Sequence, residues 1–131
     1  MTVEQKREIE RALNWFSKDC GKNEIVGIRI TLDILGYWVF ITEKGYEIRK
    51  KKGGGEMITK RQKEELEEEF NFYSYLAELY KHLGNSLEYE RYFAKMWALK
   101  NAFYILGYII KREKQDEKDG IKYYYYEFVK E

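Results

Sequence analysis

Thr59-Lys60-Arg61-Gln62, then Leu66, Phe70, Tyr73, Leu76 or Ala77, and Tyr80, then Lys81-His82-Leu83-Gly84-Asn85-Ser86, is the stretch on which the fold turns. Threonine at an N-cap with glutamine three residues on forms a capping box. The apolar residues behind it recur at helical spacing, and Gly84-Asn85 breaks the pattern. Residues 56–115 therefore read as a long αα-hairpin. Its first helix spans Thr59 to Leu83, and its second starts at Ser86 and fades into Lys111-Arg112-Glu113-Lys114. At about 1.5 Å per residue each rod is roughly 35–40 Å long, enough to span or overhang a domain whose radius of gyration is near about 14 Å.

The second rod carries two apolar stripes. Tyr92, Met96, Leu99, Phe103, Leu106 and Ile110 form one; Tyr89, Phe93, Trp97, Tyr104 and Tyr108 form another. A surface helix needs only one, so this rod is expected to be sandwiched inside the fold or shared with a second subunit. A homodimer through the hairpins follows.

Outward from the hairpin, Thr2-Val3-Glu4-Gln5 is another capping box, and Ile9, Leu13, Phe16 and Cys20 continue it as a helix within residues 1–22, with Trp15 off the stripe. In residues 24–52, Val26, Ile28, Ile30, Leu32 and Ile34 alternate with Gly27, Arg29, Thr31 and Asp33, the period of a half-buried strand. Tyr37 to Thr42 reads as a central strand and Tyr46 to Lys51 as its return, which makes a three-stranded antiparallel β-meander. Gly53-Gly54-Gly55 reads as a joint and Lys111 to Gly120 as a charged connector. Residues 120–131, with Tyr123-Tyr124-Tyr125-Tyr126, are strand-prone and are expected either to extend the meander or to pair with a partner. No internal repeat is apparent. The expected class is α+β in a single domain, residues 1–131.

Composition excludes several functions. One cysteine permits no disulfide framework and no cysteine-based zinc site. A net charge of +1 fits neither an acidic DNA mimic nor a basic nucleic-acid coat. No apolar segment follows the charged start, and no run approaches the roughly 20 residues of a membrane span, so a cytoplasmic protein is expected, without membrane contact. Aromatic residues make up 18% of the chain, more than a core of this size needs, and Tyr and Trp favour interfaces.

Two surfaces stand out as candidates. Arg49, Lys50, Lys51 and Lys52, followed by Lys60 and Arg61, suit an anion or an acidic partner. Lys60 and Arg61 sit in a helix's first turn, where cations oppose the macrodipole. The spacing is not that of a P-loop. Tyr89, Arg91, Tyr92, Lys95, Trp97, Tyr104, Tyr108, Tyr124 and Tyr126 have the composition of a protein interface. Cys20 and His82 suggest no catalytic pair, and a lone histidine cannot build a di-iron site, so neither enzyme activity nor any metal or cofactor is expected.

In its shortness, its Lys/Glu/Tyr-rich and proline-free composition, and its helical hairpin around Lys81-His82-Leu83-Gly84-Asn85-Ser86, the chain resembles small accessory proteins of phages and mobile elements, including anti-CRISPR and other anti-defence inhibitors. That resemblance implies stoichiometric inhibition of a host machine, such as a nucleic-acid-handling defence enzyme, within the host cytoplasm. The alternative is a nucleic-acid or nucleotide-binding accessory protein using the basic 49–63 stretch.

Overall fold

The computed structural model describes residues 1–19, 21–51 and 58–131. Four helices and two antiparallel hairpins follow in the order α1 (Val3–Lys18), α2 (Lys22–Ile34), β1 (Tyr37–Thr42), β2 (Gly45–Lys50), α3 (Lys60–His82), α4 (Ser86–Ile105), β3 (Tyr108–Lys118) and β4 (Ile121–Lys130). The class is α+β, but the three-stranded meander is not formed. Residues 22–34 are a helix, and among the described residues β1 pairs only with β2 and β3 only with β4. The charged connector of 111–120 is mostly strand β3, and α4 ends at Ile105 rather than continuing to 114. The glycine joint and Cys20 lie outside the described residues.

The alternation in 26–34 misleads because a helix buried on most sides presents apolar residues at nearly every phase. Its buried positions are Gly27, Ile28, Thr31 and Leu32, a 3.6-residue period. The Thr31 hydroxyl donates back to the Gly27 carbonyl at 2.9 Å, as threonine does inside a helix. Gly27 is where α2 meets α4.

Element order exposes an internal duplication that the sequence reading did not see. The chain is one ααββ unit written twice, and the equivalences are specific. Both units open with a complete Thr-x-x-Gln capping box, at Thr2/Gln5 and Thr59/Gln62. Glu10 and Asn14 match Glu67 and Asn71, Ile34-Leu35-Gly36-Tyr37 matches Ile105-Leu106-Gly107-Tyr108, and Tyr46-Glu47-Ile48 matches Tyr126-Glu127-Phe128. Gly36 and Gly107 both take positive φ, 87° and 94°, and the carbonyl of each accepts a bond from the residue that follows its hairpin, Lys51 at 2.9 Å and Glu131 at 2.7 Å.

The core repeats in the same way. Ile9/Leu66, Leu13/Phe70, Phe16/Tyr73, Ile28/Leu99, Leu32/Phe103, Leu35/Leu106, Tyr37/Tyr108 and Ile48/Phe128 supply every buried member of the central cluster except Ala98. The counterpart of Ala98 is Gly27, also buried. The units pack reciprocally: α2 lies on α4, α1 touches α4, and α3 touches α2. Such exchange of equivalent contacts is the mark of an approximate twofold axis, which here passes between α2 and α4. In the second unit both helices are longer, 23 residues against 16 and 20 against 13, as is the hairpin. The extension is braced by rings: Tyr80 stacks on Tyr92 at 5.6 Å, and Tyr75 meets Tyr123 edge-on at 5.5 Å.

A two-stranded sheet leaves an unpaired edge on each side. Helical side chains serve the second-strand edge in both units. Tyr46 N–H donates to Asn14 Oδ1 at 2.9 Å and Ile48 N–H to Glu10 Oε2 at 2.8 Å. Correspondingly, Tyr126 N–H donates to Asn71 Oδ1 at 2.8 Å and Phe128 N–H to Glu67 Oε1 at 3.2 Å. Asn71 Nδ2 also donates to the Tyr126 carbonyl at 3.0 Å, and Ser74 Oγ to that of Tyr124 at 2.7 Å.

A Cβ at Gly27 would lie 2.7 Å from the Lys95 carbonyl oxygen and 3.2 Å from the Ala98 Cβ. Alanine gains about 1 kcal/mol in helix propensity over glycine, but overpacking costs roughly 1–3 kcal/mol, and backbone cannot swing aside as a side-chain tip can. Gly27→Ala is therefore expected to lower the urea midpoint of unfolding, and an unchanged or raised midpoint would show that α2 and α4 are not pressed together there.

Candidate functional site

The described cations of the basic stretch do not converge on an anion pocket. Arg49 pairs with Glu47 at 3.1 Å and lies over the Phe40 ring, 4.6 Å from its centroid. Lys51 pairs with Asp33 at 2.6 Å and lies over Trp38 at 4.3 Å. Lys60 and Arg61 pair along α3 with Glu64 at 3.9 Å and Glu65 at 3.3 Å, which relieves their misplacement at a helix N-terminus. Lys50 is exposed, and Lys52 lies outside the described residues.

Taken together these contacts build the outer face of the first hairpin. Trp38 and Phe40 point the same way from β1, 54% and 40% exposed, with Arg49 and Glu47 opposite them in register on β2. The Arg49 hydrogen bond, with the guanidinium charge behind it, holds the Glu47 carboxyl below its usual range.

The expected aromatic interface divides. Tyr108 is buried against Phe103, with centroids 4.9 Å apart, and belongs to the core. Tyr126 packs edge-on to Phe70 at 5.1 Å, and Tyr92 is held by Tyr80 and by Lys95, whose Nζ lies 5.0 Å from its centroid. Arg91 bonds Glu88 at 2.6 Å, and Tyr89 packs on Phe93 at 5.9 Å. Trp97, Tyr104 and Tyr124 stay open, at 48%, 62% and 48% exposure. Trp15 and Phe93, absent from the expected set, join them. Trp15, Phe16, Trp97 and Tyr104, with Ala12 and Asn101, line a groove of about 540 Å³ between α1 and α4. Trp15 was legible as a residue off the core stripe of its helix; Trp38 and Phe40 were hidden because β1 read as a strand covered on both faces.

The duplication supplies a control within the molecule. The exposed positions of α2 are Lys22, Val26, Arg29 and Asp33, and their equivalents on α4 are Phe93, Trp97, Lys100 and Tyr104. Position for position the fold accepts a mostly polar face, so it does not require the α4 rings. The exposed rings at Phe93, Trp97 and Tyr104 are thus not demanded by this fold at those positions.

Among the described residues no group of three or more His, Cys, Asp or Glu side chains is placed to hold a metal, and no helix is long and apolar enough to cross a membrane. His82 is exposed at the end of α3. No protein-family model, curated protein or solved structure matches the chain.

Burial, then the neighbouring Glu113 carboxylate, pushes the Tyr126 phenol up to about 12, and burial beside Glu69 likewise raises Tyr73. A raised phenol pKa stabilises the fold fully below the ordinary phenol value of about 10 and ceases to do so as pH climbs through the folded value. The urea midpoint is expected to hold up to about pH 10 and then fall toward about pH 12, less steeply in Tyr126→Phe. A midpoint level across that window would show these phenols to be solvated.

Proposed function

We propose that this is a non-enzymatic binding protein that blocks a macromolecular partner by stoichiometric protein–protein contact, in the manner of anti-CRISPR and other anti-defence inhibitors, and that the outer face of β1–β2 makes that contact. The observation that carries the reading is the packing of Trp38, Phe40, Arg49 and Lys51 into one exposed patch in which each cation lies on a ring. Tryptophan and arginine in a pre-ordered cluster are what interface hot spots are made of. Ordering them before binding also lowers the entropy lost on association. A nucleic-acid-handling defence enzyme is the class of partner this reading implies.

Rings interleaved with cations also suit single-stranded nucleic acid. Here the cations are tied to Glu47 and Asp33 and cover the rings on which bases would stack, so protein is the better fit. The test is to co-purify the protein with defence complexes and compare the wild type with a Trp38→Ala/Phe40→Ala variant. A defined-ratio complex with a defence enzyme that the variant weakens by about 2 kcal/mol or more, roughly thirtyfold, is expected. Binding insensitive to the variant overturns the assignment of this face, and oligonucleotide binding that weakens steeply with salt instead overturns the protein reading.

A further inference from the structure

The α4 face that the first unit leaves polar remains to be explained. Phe93, Trp97, Lys100 and Tyr104 recur at intervals of four, three and four residues, the a/d spacing of a coiled-coil seam. The seam is exposed along its length. It runs between two recesses: the α1–α4 groove on one side, and on the other a smaller hollow lined by Phe93, Met96, Trp97, Ile110 and Tyr126. We propose that the α4 seam is a self-association surface, on which a second copy of this chain lays its own α4 antiparallel.

The occupant is argued from the seam's own order. In antiparallel helix pairs an a position faces a d position of the other helix, and a twofold interface must be complementary to itself. Centred between residues 98 and 99, the seam meets its copy in four layers: Phe93 on Tyr104, Trp97 on Lys100, Lys100 on Trp97, and Tyr104 on Phe93. Two layers pair rings with rings. The other two set an ammonium against an indole, the preferred cation–π partner. Each Lys100 therefore faces an indole within its layer, its counterpart lying one layer away across the axis. The flanking Ala94, Met96 and Asn101 carry no charge, so the two Lys100 side chains, each on an indole, are the only charges in the four layers. Trp97 and Tyr104 also form one wall of the groove whose other wall carries Trp15, so Phe93 of the second copy arrives at its mouth.

Size agrees with a dimer that forms reversibly. Three half-exposed rings offer on the order of 300 Å² of apolar surface per copy, given about 150–250 Å² for a whole aromatic side chain. That is the apolar centre of an interface whose standard size is about 800 Å² a side. The hairpin face with Trp38 and Phe40 lies on β1 and is not part of this seam, so self-association and partner binding are separable.

Sedimentation equilibrium of the full chain across the micromolar range should show a species of twice 16.0 kDa. Trp97→Glu should weaken dimerisation at least tenfold while leaving the far-ultraviolet circular dichroism unchanged, because the equivalent position in the first unit is the exposed Val26. Register is tested in a Cys20→Ser background: mixing Phe93→Cys with Tyr104→Cys protein under mild oxidation should yield a covalent dimer, and neither variant alone should. A monomer throughout the range, a Trp97→Glu variant that dimerises as well as the parent, or Phe93→Cys protein that crosslinks to itself would each overturn the proposal.

Discussion

Hydrogen bonds from helix side chains to the edges of two isolated hairpins hold this architecture together. Two strands alone are marginal in water because each edge is unpaired and one face at most can be covered. Here Glu10 and Asn14, and again Glu67 and Asn71, present carboxylate and amide oxygens to alternate strand N–H groups, where a third strand would offer carbonyls. Leaving such a group buried and unbonded costs about 1–3 kcal/mol, comparable with a large fraction of a small domain's stability. Because the acceptors stand four residues apart on one helix face and the N–H groups two apart on one strand edge, helix and strand are locked in direction and register together.

That lock was used twice, and the second use explains the shape of the molecule. Once α1 with β2 and α3 with β4 are fixed as units, each has a remaining apolar helix, α2 or α4, that must find cover. Each covers the other. Gly27 against Ala98 lets the backbones approach closely at the axis between the units, and the core clusters of the two halves merge into one. The longer helical hairpin of the second unit then needs its own support, which the longer β3–β4 ribbon and the rings of Tyr75, Tyr80, Tyr92 and Tyr123 provide.

A duplicated fold also separates the demands of folding from those of function. Positions that must be filled for stability are filled alike in both halves, as with Ile9 and Leu66 or Leu35 and Leu106. Positions that stay exposed in both halves but carry a ring in only one are under another constraint. By that criterion Phe93, Trp97 and Tyr104 on α4 are set apart from Tyr108, Tyr92 and Tyr126, whose rings the interior uses.

Much of the helical content was legible because it is written locally. Capping boxes at Thr2 and Thr59, a 3.6-residue apolar period, and a Gly84-Asn85 break each act over a few residues, and all three stand where expected. The strand tendencies of 37–42, 46–50 and 121–130 were legible for the same reason. Tertiary structure alone decided that residues 22–34 coil rather than extend, since burial on several sides erases the contrast that periodicity depends on. It alone decided that 108–118 is a strand, because pairing with 121–130, which itself packs on α3, outweighs a charged composition. The repeat went unseen because its matched residues are scattered and the second copy is stretched, and only shared contacts reveal that Asn14 and Asn71 do the same work. Which aromatics are surplus was settled likewise: a sequence counts rings, but only packing determines which of them the core can hold.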